Sequence, residues 1–387
     1  MRILNLETFS PKLLVTEINK SFIQIVSKAM KYSSGQVSIN LTSIKNNYLF
    51  LKRFCKPSVV SATVKASSYG LGEANKIVES LVKLKCKNFF VANVKEATRI
   101  RKKFKLVNIF VLNGLGINEE SIFFRNKLIP VLNTYSQFEK WARYLKKNYQ
   151  RNIMIHIDTG MNRLGFQEND INKLKKNKKK LYLFKNITFM SHLACADEKN
   201  NKFNNIQKTR FDKIKKEFPD CKYSLAASGG IFLGKRYHYD MVRPGISLYG
   251  GKRTFHQSIK HAVSLKVPIT QINQIKKGES IGYSRTFYTK RNTTTATIPI
   301  GYADGLNIRL SNKGFFLFKG KKLPIIGRVS MDLIILDVSK FKNKIKVGDT
   351  VDIYNSDYTI DDFARQTGTI PYRIITCMSQ RYDKKYI

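Results

Sequence analysis

The sequence predicts an α/β protein, a (β/α)8 TIM barrel followed by a C-terminal, mainly antiparallel β domain. Three observations predict it. Short apolar runs recur, separated by longer, Lys-rich, helix-compatible segments. Eight such runs fall within about 215 residues, the count and length of a barrel. Past about residue 255 the helical spacers give way to alternating strands bounded by Gly turns.

Taken in order, residues 1–34 carry no strong strand signal and read as an N-terminal extension, with SSGQ (33–36) as a break. The barrel is expected over 35–255. QVSINL (36–41) is strand-like and precedes the first barrel unit, so it is a candidate to pair with the later domain. The barrel runs are SVVSATVKA (58–66), FFVANV (89–94), VNIFVLNG (107–114), LIPVLN (128–133), IMIHIDTG (153–160), ITFMSHLA (187–194), YSLAAS (223–228) and MVRPGISLYG (241–250). An open doubly wound sheet is the alternative, but no GxGxxG follows the first run. Residues 256–387 form the expected β domain, with runs such as VSLKVPITQI, TTTATIPIGY and LIILDV punctuated by KKGES and KVGDT.

Bulk properties narrow the function classes. With 387 residues and 42% apolar content, the chain can bury a large core. No run of about 18 apolar residues suggests a membrane span, and the N-terminus lacks a secretory pattern. The five cysteines are scattered and odd in number, which points to free thiols in a reducing cytoplasm. The net charge of +43 has two readings. It could mark a nucleic-acid or anionic-membrane binder. The lysines spread along the whole chain together with many Asn and Ile, however, as codon bias in an AT-rich genome produces, and no nucleic-acid module is present.

Chemistry in a barrel gathers where the strands end. The polar residues there are Lys65, His156, Asp158, His192, Ser228 and Arg243. Each has a bland explanation alone: a core histidine, a turn aspartate, a structural ion pair. Together they place an amine, two imidazoles, a hydroxyl and a guanidinium on one rim. Lys65 in VKASSYGLG is open to three readings: an ion-pair partner, a phosphate binder, or a nucleophilic amine whose pKa burial would lower. Tyr69 follows four residues later and could bind a phosphate.

The ordered set VKASSYGLG, HIDTGMNRLGF, SHLACADE, MVRPGISLYG, ESIGYSRTF, IPIGYADGL, GRVSMD and GTIPYRIIT resembles the bacterial alanine racemases, running in family order from about residue 36 to 384. The resemblance implies an isomerase that uses pyridoxal 5'-phosphate and interconverts L- and D-alanine for peptidoglycan. It implies two bases on opposite faces of the substrate: Lys65, which also carries the cofactor covalently, and Tyr283, contributed by the second subunit of a homodimer. It further implies that Arg243 faces the pyridine nitrogen, that His192 lies against the ring, and that Arg163 serves both the cofactor and the substrate carboxylate. Tyr69, Ser228, the backbone amides of Gly245 and Ile246, and Tyr372 would hold the phosphate. Tyr302 and Met331 would narrow the entry and hold the substrate. The expected partners are thus a small amino acid and a second copy of the chain, with no metal, nucleic acid or membrane.

Several positions depart from the family pattern. Ser67 and Leu71 replace an acid and an imidazole, Ala227 replaces an asparagine, and Ser330 replaces a frequent cysteine. His156 stands where many members carry a carbamylated lysine that braces the arginine corresponding to Arg163; a neutral imidazole could accept one hydrogen bond there. These departures keep two alternatives open, a racemase of another small amino acid such as serine and a catalytically degraded cofactor-binding homologue.

Overall fold

The computed structural model describes residues 35–145, 150–251 and 256–387; the expected extension over 1–34 lies outside the described residues. The chain divides into two compact units. One comprises Ser38–Val263, Tyr358–Met378 and Tyr386–Ile387; the other includes Ser264–Asp357 and Ser379–Lys385, together with residues 35–37.

The first unit is a closed barrel of parallel strands. After β1 (Gln36–Ile39), the first barrel strand is interrupted at Ser61, giving β2 (Val59–Val60) and β3 (Ala62–Thr63). There follow β4 (Asn88–Val91), β5 (Asn108–Val111), β6 (Ile129–Leu132), β7 (Arg151–His156), β8 (Phe184–Met190), β9 (Lys222–Ser224) and β10 (Met241–Val242). Strands β3 to β9 pair in sequence order, and β10 pairs in parallel with β2. The barrel closes between β9 and β10, where Arg243 N–H donates to Ala226 O and Asp240 N–H to Tyr223 O. All eight runs read from the sequence are strands, and their C-terminal portions are the loops of one rim.

The barrel interior is filled rather than hollow. Phe90, Phe110, Ile129, Val131, Met154, Met190 and Met241 form one buried cluster, with the Phe90 and Phe110 rings stacked 4.6 Å apart. Truncating either ring to Ala would cost about 3–5 kcal/mol, because neighbouring strands cannot collapse into the space. The outer helices bury one apolar stripe each; Tyr135–Leu145, for example, buries Phe138, Trp141, Ala142 and Leu145 at i, i+3, i+4 and i+7 spacing.

Helical segments do not end near residue 255 as expected. Ile360–Gln366 and Pro371–Thr376 are helices of the barrel unit. Their start signals are local: Thr359 caps the first through a reciprocal box with Asp362, and Pro371 occupies the first turn of the second.

The second unit is built on mainly antiparallel sheets. Its strands are β11 (Val263–Pro268), β12 (Gln271–Ile275), β13 (Ser280–Ile281), β14 (Phe287–Tyr288), β15 (Thr293–Ile298), β16 (Phe315–Phe318), β17 (Lys321–Pro324), β18 (Ile334–Asp337), β19 (Thr350–Tyr354) and β20 (Asp383–Tyr386). One six-stranded sheet runs β17-β16-β19-β11-β1-β20, so the strand over QVSI does join the later strands. A three-stranded sheet runs β12-β15-β18, and β13-β14 form a hairpin.

Candidate functional site

At the C-terminal rim of the barrel lies a cavity of about 680 Å³. It is lined by Lys65, Tyr69, Arg163, His192, Ser228, Arg243, Gly245 and Tyr372, among others, and by His156. Nine residues singled out from the sequence thus line one physical pocket. Ile246 follows Gly245 directly and has no side chain on the lining.

Lys65 is presented by an unusual turn. Ala66, Ser67, Ser68 and Tyr69 all have φ between 50° and 61°, so the segment after the lysine is a single left-handed turn. Each such residue costs about 1–2 kcal/mol, and three bonding patterns hold the turn in place. Ser68 N–H donates to Val64 O and Gly70 N–H to Ala66 O. Glu96 receives Ala66 N–H on one oxygen and Ala92 N–H on the other, both at 2.8 Å. Gly70 abuts Ile375 O so closely that a Cβ there would lie 2.2 Å from it, which fastens the Pro371–Thr376 helix onto the turn. Burial lowers the Lys65 pKa, Arg163 adds to the shift, Glu96 opposes it and Arg243 again lowers it. The net effect favours a neutral amine.

Tyr69 is buried, its ring 4.9 Å from that of Tyr249 and 6.2 Å from that of Tyr372. Its hydroxyl meets Gly245 so tightly that a Cβ at 245 would fall 1.9 Å from Tyr69 Oη. Only glycine permits that approach. Ser228 Oγ accepts from Gly245 N–H at 2.8 Å and from Ser247 N–H at 3.3 Å. Ile246 N–H has no acceptor among the described residues. Tyr69, Ser228, Gly245, Ile246 and Tyr372 thus form a neutral, donor-rich corner.

Arg243 is buried in a different way. Its Nη1 donates to Ser224 O (2.9 Å) and Ser224 Oγ (2.5 Å), and its Nη2 to Ser191 O (2.6 Å) and Leu225 O (3.3 Å). Nε–H is left as the one guanidinium donor without a protein acceptor among the described residues. Burial lowers the Arg243 pKa to about 9, so the group stays charged at neutral pH. Its charge in turn acts on the imidazoles. Burial first, then Arg243, lower His156 to about 4; burial, Arg243 and Arg163 lower His192 to about 3. Both rings are neutral. The loop carrying His192 is fixed by Gln207, which accepts from Ala194 N–H (2.8 Å) and donates to His192 O (3.0 Å).

Asp158 behaves as a turn residue. Its carboxylate receives Gly160 N–H, Asn162 N–H and Gln167 Nε2, which holds its pKa below the usual range despite burial. Three supporting residues escaped the sequence reading: Glu96, Gln207 and Asn133. Glu96 had a signal, since Asn93 and Glu96 flank a helix start at capping-box spacing and Asn93 Oδ1 accepts from Glu96 N–H.

Tyr283, Tyr302 and Met331 belong to the other unit. Tyr283 sits at the tip of the β13-β14 hairpin and is 72% exposed. The tip is braced from below: Arg328 Nη1 donates to Ser284 Oγ (3.1 Å), and Arg285 Nε to Ser280 Oγ (3.0 Å). Tyr302 and Met331, 45% and 52% exposed, lie on two turns pinned to each other. Tyr302 N–H donates to Ser330 O and Ala303 N–H to Met331 O. Asp304, nearly buried, accepts from Gly301 N–H (3.0 Å) and pairs with Arg381 Nε (3.0 Å), whose Nη1 also reaches Asp332 (2.8 Å). Among the described residues, no group of three or more His, Cys, Asp or Glu could hold a metal ion.

Comparison with known proteins agrees with this architecture. The family model "Alanine racemase, N-terminal domain" matches residues 39–253, and "Alanine racemase, C-terminal domain" matches 262–386. The chain is 41% identical over 353 residues to the alanine racemase of Rickettsia canadensis (strain McKiel), covering 90% of this chain and 98% of that one. Among solved structures, the Bartonella henselae alanine racemase with covalently bound pyridoxal phosphate is 37% identical with a TM-score of 0.88, covering 92% of this chain and all of that one. The biosynthetic alanine racemase of Pseudomonas aeruginosa is 28% identical with a TM-score of 0.84, covering 92% and 99%. A half-buried amine, a guanidinium with one spare donor and a donor-rich corner therefore lie in a chain matched along nearly its whole described length, and the chain belongs to the alanine racemase family.

Proposed function

We infer that this protein is a pyridoxal-phosphate-dependent isomerase that interconverts L- and D-alanine and supplies D-alanine for peptidoglycan. The observation that carries the reading is the cavity, where an amine of lowered pKa shares one wall set with Arg243 and the Tyr69–Ser228–Gly245 corner. Its volume of about 680 Å³ lies in the ~300–1,000 Å³ range of cofactor sites. The residues fit the cofactor. Ile246 N–H and Arg243 Nε–H are two donors with no described protein acceptor, one for a phosphate and one for a ring nitrogen. When bound, pyridoxal phosphate supplies an electron sink that makes the substrate Cα proton removable.

The chain's own residues divide the remaining work. Lys65 Nζ would anchor the cofactor covalently and, when released from it, would move the Cα proton on one face of the substrate. Tyr283 Oη moves it on the other face, because inversion needs one base to take the proton and another to return it. Arg243, as a guanidinium, donates through Nε and keeps its proton. His192, a neutral imidazole on the cavity wall, would lie beside the ring. Arg163 would meet the substrate carboxylate, and Tyr302 and Met331 would narrow the entry, as the family resemblance implies.

The reading includes a homodimer with shared sites. Its support is the hairpin tip: a tyrosine 72% exposed on a braced backbone is placed to enter another molecule. Tyr288, Ile308 and Leu333 extend the exposed apolar surface of the same unit. A cytoplasmic location rests on free cysteines, and no described helix is long and apolar enough to cross a membrane.

The test is Cα deuterium incorporation from L-alanine and D-alanine in heavy water, with and without added pyridoxal phosphate. Cofactor-dependent exchange from both enantiomers is expected. Absence of exchange from either alanine with saturating cofactor overturns the reading, and serine in the same assay separates the alternative substrate.

A further inference from the structure

The last rung between β3 and β4 is Val64 N–H to Phe90 O at 2.9 Å. The next rungs of a parallel ladder would join Ala92 N–H to Val64 O and Ala66 N–H to Ala92 O. Both of those carbonyls are taken. Val64 O accepts from Ser68 N–H inside the left-handed turn, and Ala92 O accepts from Asn113 N–H beyond β5. Glu96 replaces the two lost acceptors with one side chain: Oε1 receives Ala66 N–H and Oε2 receives Ala92 N–H, each at 2.8 Å. Its own place is set by the helix Val94–Lys103, where Asn93 Oδ1 accepts from Glu96 N–H at 3.0 Å. Two backbone donors converging on one side chain call for a group that only accepts. A carboxylate meets that need, whereas a glutamine would turn its NH2 against one of the two N–H groups.

The same side chain enters the electrostatics of Lys65. Arg163, on the loop after β7, and Arg243, after β10, both oppose a proton on the amine, and Glu96 favours one. His192, after β8, is a neutral ring. On the other helices packed against the turn, Lys76 lies over the Tyr386 ring, Glu79 pairs with Lys83 and Lys103, and Arg373 is exposed. Lys95 and Arg99, on the same helix as Glu96, are exposed as well. Glu96 is thus the acid set against two guanidiniums.

We propose that Glu96 is a positioning residue for Lys65: its carboxylate bolts the turn beside the amine onto β4 and sets one negative charge against Arg163 and Arg243, so that the amine can take up a proton. The use of that proton at a substrate Cα rests on the function inferred above; the bolt and the charge do not. One side chain performs both tasks, so a neutral replacement of the same shape loses both together.

The test separates the two tasks in the full chain. Hydrogen exchange reads the Ala66 and Ala92 amides in protein loaded with pyridoxal phosphate. In protein freed of cofactor, acetylation by acetic anhydride across pH, read by peptide mass, gives the midpoint at which Lys65 becomes nucleophilic. Glu96→Gln should speed exchange at one of the two amides at least about tenfold, the size of a hydrogen bond to a charged group. It should also move the Lys65 midpoint to lower pH and reduce kcat for alanine about tenfold with KM little changed. Glu96→Asp keeps the charge on a shorter arm. It should speed exchange while holding the Lys65 midpoint near that of the wild type, and it decides the matter should Glu96→Gln fail to fold. A purely structural side chain predicts the opposite shift, because a loosened turn admits water and returns the amine toward the ordinary lysine range. Unchanged exchange in either variant, a Glu96→Gln midpoint that stays or rises, or a Glu96→Asp midpoint that falls overturns the proposal. So does a Glu96→Gln kcat equal to that of the wild type. If exchange and midpoint behave as stated but the wild type exchanges no alanine Cα proton, the alanine reading fails and the bolt stands.

Discussion

The barrel rim and the exposed face of the β unit treat their functional side chains in opposite ways. At the rim, backbone and side chain are both fixed: Arg243 has four acceptors, Ser228 gathers two amides, and Gln207 and Glu96 tie loops to helices. On the β unit only the backbone is fixed. The turns bearing Tyr283, Tyr302 and Met331 are braced by Arg328, Asp304 and Arg381, yet the side chains themselves stand exposed. Under the proposed function, a braced backbone beneath exposed side chains is what a surface that meets a second copy of the chain requires. Under that same function, the rim would hold the cofactor and the face would supply the second base.

The sharpest way to break this contrast is Lys65→Ala. It should lower turnover by at least about 10³-fold and abolish borohydride trapping of cofactor at position 65, read by peptide mass. If trapping persists, the rim does not hold the cofactor through this amine. Tyr283→Phe should cut turnover about 10²–10⁴-fold while leaving trapping intact, with Cα exchange surviving from one enantiomer better than from the other. Equal loss from both enantiomers would place Tyr283 outside the proton path.

Smaller effects sharpen the comparison. Gly245→Ala forces a Cβ onto Tyr69 Oη and should weaken cofactor affinity at least about tenfold in an equilibrium titration, about 1.4 kcal/mol. Asp304→Ala removes the acceptor for Gly301 N–H and Arg381, costing about 1–3 kcal/mol within the β unit. Hydrogen exchange should quicken at Gly301 while amides of the barrel strands stay unchanged. The mildest effect is one of pH. His156 and His192 remain neutral in the fold, lowered to about 4 and about 3, whereas unfolded imidazoles charge near 6.5. Between those values the unfolded chain binds more protons, so the stability of the barrel is full above about pH 6.5 and is lost as pH falls toward 4. His156→Phe should flatten that slope in acid unfolding curves; an unchanged slope would mean the ring titrates normally.

Much of this was legible in the chain because barrel strands are buried on both faces and read as apolar runs. Each run ends in residues with no apolar reason to be there, and Lys65, His192, Ser228 and Arg243 stood out for that cause. Asn133 stood at such an end too, but its bonds to two carbonyls and to His156 Nδ1 join distant segments and cannot be read from the chain. The helices over 360–366 and 371–376 were hidden among strand-like neighbours because each is short, although Thr359, Asp362 and Pro371 mark where they start. Asp158 shows the reverse: a conspicuous rim acid whose carboxylate serves its own loop.

The left-handed turn after Lys65 also acts as a filter on mutation. Branching at Cβ makes such a backbone prohibitive, so Val, Ile and Thr are shut out of positions 66 to 68, whereas Gly, Asn and Asp can enter. The small residues Ala66, Ser67 and Ser68 obey that rule. Directed evolution of this pocket for bulkier amino acids would therefore find those three sites nearly closed, and would have to draw its diversity from the opposite wall.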